Sequence, residues 1–255
     1  MPRRQAAIDN TAAALSAVIN RLADPYRAAV LRRFFRTGPG QYGHGDRFLG
    51  VPVPLIRKAA RPFWSMPLKE VLRLLASPYH EHRFAALVIL VRQFERGGHD
   101  VRSAIFKAYL DNTRFVNSWD LVDMSAPHIV GGYLADRDRR VLYPLARSKS
   151  LWERRIAMVA TLFFIRRGDP APALEIAAML LRDPEDLIHK AAGWMLREAG
   201  KRDPHALCAF LDRHAADMPR TMLRYAVERL DAPRRRRYMN AGRGRRASAE
   251  ADRAR

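Results

Sequence analysis

The run Asn117-Ser118-Trp119-Asp120-Leu121-Val122-Asp123 sets an indole and two carboxylates within about one and a half helical turns, in a chain otherwise crowded with arginine. If a helix opens at Asn117 or Ser118, either of which can cap it, Trp119 and Asp123 form an i, i+4 pair and project from one face. Asp120 then lies in the first turn, where it suits the positive end of the helix dipole. Asp123 has no such explanation. It falls among Trp119, Val122, Ala126 and Val130 on the apolar stripe, where a carboxylate is either partnered or used. A carboxylate so placed can stabilise developing positive charge and direct a water molecule. The plain alternatives are a salt bridge from Asp123 to an arginine and ordinary core packing for Trp119 and Trp194.

Composition narrows the partner. The formal charge is +20 over 255 residues, and only six of the 46 basic residues are lysine. Residues 233–255 hold nine arginines against Glu250 and Asp252, a net +7 that leaves +13 on residues 1–232. A basic body of this kind points to a polyanion. No apolar run is long enough to span a membrane or serve as a signal peptide, so a protein of the cytoplasm, nucleoid-associated when bound to DNA, is expected. The single Cys208 excludes an internal disulfide and a cysteine metal cluster, and the eight histidines show no metal-ligand spacing. Neither a metal nor a cofactor is expected.

The elements that must position these residues read as helices throughout, with no sustained strand alternation. The periodicity predicts helices near 6–22, 25–36, 53–61, 67–76, 79–96, 98–112, 118–133 (bent or broken at Pro127), 136–147, 150–167, 171–182, 185–200, 203–214 and 218–230. Proline or glycine marks most joints. Helix pairs recurring about every 35 to 40 residues predict an all-α fold, an α-solenoid of HEAT-like repeats with a concave basic groove. Three segments carry the repeat: His82-Arg83-Phe84-Ala85-Ala86, Trp152-Glu153-Arg154-Arg155-Ile156-Ala157 and Ile188-His189-Lys190-Ala191-Ala192-Gly193-Trp194. Each sets a basic residue before a small-residue seam, which places the charge on the rim of the groove and lets neighbouring helices approach closely.

Residues 1–232 are therefore expected to form one repeat domain, followed by a disordered arginine-rich tail over 233–255. The glycine-rich segment 37–52 reads as a loop, either a flexible connector whose Tyr42 and Phe48 pack back on the core or a device that brings an aromatic to the groove.

Taken together, these segments resemble the AlkD-like DNA alkylation repair family, the HEAT-repeat DNA glycosylases. The resemblance rests on Tyr42 with Phe48-Leu49-Gly50-Val51 and Pro54, on Asn117 to Asp123, on Leu151-Trp152-Glu153-Arg154-Arg155-Ile156-Ala157 and on His189-Lys190-Ala191-Ala192-Gly193-Trp194-Met195-Leu196-Arg197-Glu198. It implies excision of cationic alkylated purines, of the 3-methyladenine and 7-methylguanine type, from double-stranded DNA by a monomer, without full base flipping. Asp123 matches the family's catalytic carboxylate, Trp119 and Trp194 the tryptophans that hold the damaged nucleotide, and Tyr42 an aromatic beside the site. Arg155, flanked by Arg154 and with Lys190 as a further contact, matches the arginine that grips the DNA backbone. Since Arg154 and Arg155 are adjacent, one of the pair is expected to face solvent. Ser118 stands where some members carry a second tryptophan, which predicts a thinner aromatic wall. A non-catalytic DNA- or RNA-binding module of the same fold is the other function these residues allow.

Overall fold

The computed structural model describes residues 9–241. Among them every regular element is helical and no strand forms. The chain divides between Ile129 and Val130 into two compact units.

Each unit is built on a helix of 17 residues. In the first this is α5 (His80–Arg96), buried almost continuously from His80 to Leu90. Around it lie α1 (Ala12–Asn20), α2 (Pro25–Phe34), α3 (Val53–Ala60), α4 (Leu68–Leu75), α6 (His99–Asp111) and α7 (Trp119–Ala126). Asp24 caps α2 by accepting from the Arg27 amide, with Pro25 opening the helix. The break expected at Pro127 appears as a π-turn over Pro127–Gly131 that ends α7.

In the second unit the long helix is α12 (Asp186–Arg202), with α8 (Leu142–Ala146), α9 (Leu151–Ala160), α10 (Leu162–Arg166), α11 (Ala171–Met179), α13 (Pro204–His214), α14 (Arg220–Ala226) and α15 (Ala232–Asn240). The helix expected over 150–167 is interrupted at Thr161, whose buried hydroxyl donates to Met158 O at 2.6 Å and competes with the helical ladder. The segment 136–147 yields only the short α8.

The first residues of the expected tail are helical. Asp231 caps α15 through the Arg234 amide, and the Tyr238 ring is buried with its hydroxyl 3.0 Å from Asp212 Oδ1. Arg234 to Arg237 are thus helical. The remaining residues of the expected tail, 242–255, lie outside the described residues.

A local device recurs at the start of three helices. Ser77, Ser148 and Asp183 each accept the amide two residues on with a side-chain oxygen, from Tyr79, Ser150 and Glu185 at 3.2, 3.0 and 2.9 Å. Each also offers its carbonyl to a basic side chain six residues on, Arg83 and Arg154 at 3.0 Å and His189 at 2.6 Å. The device opens α5, α9 and α12. It also corrects the expected placement of these charges. Arg83 is buried and paired with Asp46, and Arg154 is paired with Asp183, so both turn onto the preceding loop rather than lining an exposed rim. Satisfying loop carbonyls that have no helical partner is the stronger demand.

Candidate active site

The first unit holds Trp119, Asp123 and Tyr42. Ser118 occupies the N-cap position of α7, yet its hydroxyl makes no cap bond, and Ser118 Oγ and Asn117 Oδ1 are both buried without a hydrogen-bond partner. The expected capping by one of them is therefore not observed. Trp119 and Asp123 follow one turn apart on the helix, both half-buried. Behind Asp123, Tyr109 of α6 is fully buried, with its hydroxyl 2.9 Å from Ser125 Oγ, which donates to Leu121 O at 2.6 Å. Burial, with the charge of Asp123 added, pushes the Tyr109 hydroxyl up, so it stays neutral and braces the helix.

Trp119 closes an aromatic column. Its ring stacks on Phe35 with 5.3 Å between centroids, Phe35 on Phe48 at 5.0 Å, and Phe48 on the imidazole of His80 at 4.6 Å. Phe34, 61% exposed, meets Trp119 edge to face at 6.0 Å. The Tyr42 hydroxyl lies 3.5 Å from the Phe34 carbonyl. Of the two aromatics of the glycine-rich loop, Phe48 packs into the core, and Tyr42 places its hydroxyl beside the Phe34 backbone. Sequence reading missed Phe34. The doublet Phe34-Phe35 was the available signal, since neighbouring helical residues cannot share a face and one of two phenylalanines must point away from the core.

The loop is held rather than slack. Glu81, 1% exposed, accepts from the amides of Leu49, Gly50 and Val51 at 2.9, 2.7 and 3.3 Å. Gly50 has φ +84°, and a Cβ there would stand 2.2 Å from Asp24 O. His80, 4% exposed, spans two carboxylates: Nδ1 is 3.0 Å from Asp46 Oδ2 in the loop and Nε2 is 2.8 Å from Asp120 Oδ2 on α7. Burial opposes a charge on His80, but Asp120 and then Asp46 raise its pKa to about 9. Asp46 is itself held below the usual carboxylate range: burial works against its charge, and His80 and Arg83 outweigh it. Asp120 does lie in the first turn, as its dipole role requires, and it also has this second task.

An open cavity of about 570 Å³ adjoins the column, lined by Tyr26, Val30, Phe35, Phe48, Phe84 and Asp120 among others. No group of three or more His, Cys, Asp or Glu suited to a metal occurs among the described residues.

The second unit holds Arg154, Arg155, Lys190 and Trp194. Arg155 is 5% exposed and donates to Leu187 O at 2.5 Å. With Arg154 held by Asp183, neither member of the pair faces solvent, contrary to the expectation for one of them. Lys190 pairs with Asp186 at 2.8 Å and keeps a half-exposed side chain. Trp194 is half-buried on α12 beside Gly193, whose Cα packs so closely on α14 that an added Cβ would meet Met222 O at 2.5 Å.

A family model described as DNA alkylation repair enzyme matches residues 15–230. No curated protein matches the chain. Among solved structures the chain is similar to a predicted DNA alkylation repair enzyme from Enterococcus faecalis. That match has a TM-score of 0.62 and 17% identity over 82% of this chain and 97% of the other. At that identity the likeness bears on the fold alone.

Proposed function

Because the chain belongs to the DNA alkylation repair enzyme family, we propose that it is a monofunctional glycosylase that excises cationic alkylated purines from double-stranded DNA. The observation that carries this reading is Asp123, half-buried one turn beyond Trp119 on a helix braced from behind by neutral Tyr109.

A purine alkylated at N3 or N7 already bears positive charge and leaves readily, so the step needs little acid catalysis. The bond from the sugar C1′ to the purine nitrogen breaks, and its electron pair leaves with the base, which becomes neutral. The sugar is left as an oxocarbenium-like cation. Asp123 stabilises that cation and orients a water whose oxygen bonds to C1′. The water's proton passes to the carboxylate or to solvent, leaving an abasic sugar. Trp119 and Phe34 offer faces that attract a cationic base, each contact worth about 0.5–2 kcal/mol according to desolvation. Trp194 is proposed as a nucleotide-binding residue on the family resemblance, as is Tyr42, whose hydroxyl lies beside the Phe34 carbonyl.

Arg155, Arg154 and Lys190 are proposed as the DNA-backbone contacts. Lys190 can exchange Asp186 for a phosphate at little cost, since an exposed ion pair contributes about 0–1 kcal/mol. Arg154 and Arg155 would have to exchange internal partners, Asp183 and the Leu187 carbonyl, to reach a phosphate.

The test is release of free base from DNA carrying 7-methylguanine, measured for the wild type and for Asp123→Asn. The expected result is release by the wild type and at least a tenfold loss in the variant, with DNA affinity retained. Tight DNA binding by a wild type that releases no base from 7-methylguanine or 3-methyladenine DNA would identify a binding module instead.

A further inference from the structure

The opening of α7 departs from the device that opens α5, α9 and α12. The register that gives Arg83, Arg154 and His189 elsewhere gives Val122 here, so it supplies no basic side chain for the preceding carbonyls. The cap position is occupied by a serine whose hydroxyl makes no bond. The first turn of the helix that carries Trp119 and Asp123 is instead gripped from α5, through Asp120 and His80.

We propose that His80 is a positioning residue for base excision: doubly hydrogen-bonded, it ties the glycine-rich loop, through Asp46, to the first turn of α7, through Asp120, and so sets Trp119 against Phe34. The proposal rests on the glycosylase reading for its catalytic consequence. Three observations converge on it. His80 reaches one carboxylate from each element, at 3.0 and 2.8 Å. Its ring ends the column that runs through Phe48 and Phe35 to Trp119, so its position is transmitted to that indole by stacking as well as by hydrogen bonding. Its backbone amide also donates to Arg47 O at 2.8 Å, which fixes the loop to the start of α5.

Charge decides whether the bridge holds. The groups facing His80 are Asp46 from the loop and Asp120 from α7, with Arg83 of α5 on the other oxygen of Asp46 and Glu81 of α5 turned to the loop amides. A neutral imidazole has one N–H and can donate to only one of the two carboxylates. Loss of its proton therefore leaves one N–H to alternate between the two, so that each carboxylate in turn faces a lone pair and both the loop and α7 loosen. The proton enters and leaves with solvent, and no bond of the substrate is involved.

The experiment compares the wild type with His80→Gln and Asp120→Asn. Base release from 7-methylguanine DNA is followed from pH 6 to 10 under single-turnover conditions, with spontaneous release subtracted, beside affinity for undamaged duplex. The wild-type rate is expected to fall at least fivefold through about pH 9 while affinity changes less than twofold. His80→Gln is expected to be slower at pH 7 and to lack that inflection, and Asp120→Asn to move it to lower pH. A His80→Gln profile matching the wild type overturns the proposal.

Amide hydrogen exchange, corrected for intrinsic rates, provides a readout that does not depend on catalysis. Protection at Leu121 to Asp123 and at Phe48 to Val51 is expected to fall together in His80→Gln and in the wild type above pH 9. If the wild type releases no base at any pH, the glycosylase reading fails while the tether is still judged by this exchange. Unchanged protection overturns it.

Discussion

Phe34 and Trp119 meet edge to face, with 6.0 Å between ring centroids and 69° between ring planes, and Phe34 is 61% exposed. A phenylalanine so open contributes little to folding, while its ring edge fixes one side of an indole. Phe34→Ala is expected to slow base release about fivefold to tenfold, the equivalent of about 1–1.5 kcal/mol for an aromatic pair. Thermal stability should move little. Phe34→Tyr, which keeps the ring, should restore most of the rate. Kinetics on 7-methylguanine DNA and a melting curve for each variant check both halves of the expectation.

Glu81 and Gly50 form a second coupled pair. Three backbone amides converge on one buried carboxylate, and one of them belongs to a glycine with φ +84° and no room for a Cβ. Glu81→Gln puts an amide in place of an acceptor-only group and turns an N–H₂ toward N–H donors. It is expected to cost about 2–3 kcal/mol, the range for losing hydrogen bonds to a charged buried group. Gly50→Ala combines a left-handed backbone with a collision against Asp24 O, and is expected to cost at least as much. Urea unfolding of the two single variants and the double variant should show less than additive losses, since both act on the same loop.

His80 and His82, two residues apart, titrate in opposite directions. His82 lies between Ser77 Oγ and Asn20 Oδ1, both at 2.9 Å, and burial, reinforced by Arg83, lowers its pKa to about 4. His80 is raised to about 9 against burial, by Asp120 first and Asp46 next. For His80 the folded state binds the proton more tightly. Its contribution is complete below the unfolded value of about 6.5 and is lost as pH rises through about 9. For His82 the unfolded state binds the proton more tightly, so stability falls as pH drops from about 6.5 towards 4. A maximum near pH 6.5 is expected, with His80→Gln flattening the alkaline side and His82→Gln the acid side. Chemical denaturation across pH 4 to 10 checks this, and a wild-type curve level from pH 6.5 to 9 would contradict the charge assigned to His80.

The helices were legible in the sequence because apolar period and proline or glycine punctuation are local. Expected 98–112 became His99–Asp111, and 79–96 became His80–Arg96. Helix ends that depend on one hydroxyl, such as the break at Thr161, were not legible, since threonine tolerates both outcomes. The column from Trp119 to His80 was invisible for a different reason. Its members come from the C-cap of α2, the loop, α5 and α7, and periodicity shows which face a residue takes without showing what it faces. Arg83 and Arg154 were misplaced on a rim because net charge does not reveal which loop carbonyls need donors. The α15 helix was hidden by four arginines whose solvent-facing side is typical of a disordered run, with Asp231 and Tyr238 as the overlooked cap and anchor.

The small-residue seam read from Ala191-Ala192-Gly193 can be tested at its tightest point. A Cβ on Gly193 would stand 2.5 Å from Met222 O and 2.6 Å from Tyr225 Cβ, so α12 and α14 touch through backbone there. Backbone cannot rotate aside as a side chain can, and interiors at this packing density yield little. Although alanine is the better helix former by about 1 kcal/mol, Gly193→Ala is expected to destabilise the protein by about 1–3 kcal/mol net, the range for overpacking. Gly168→Ala, at a φ of +87° with nothing within 4 Å of the added methyl, separates the two causes, because its cost is conformational alone. The shift α14 must make to admit the Gly193 methyl acts on the helix that carries Trp194, so base release should fall in Gly193→Ala and remain near wild type in Gly168→Ala at temperatures where both are folded. Equal rates for the two variants would show that the α12–α14 contact serves stability without positioning Trp194.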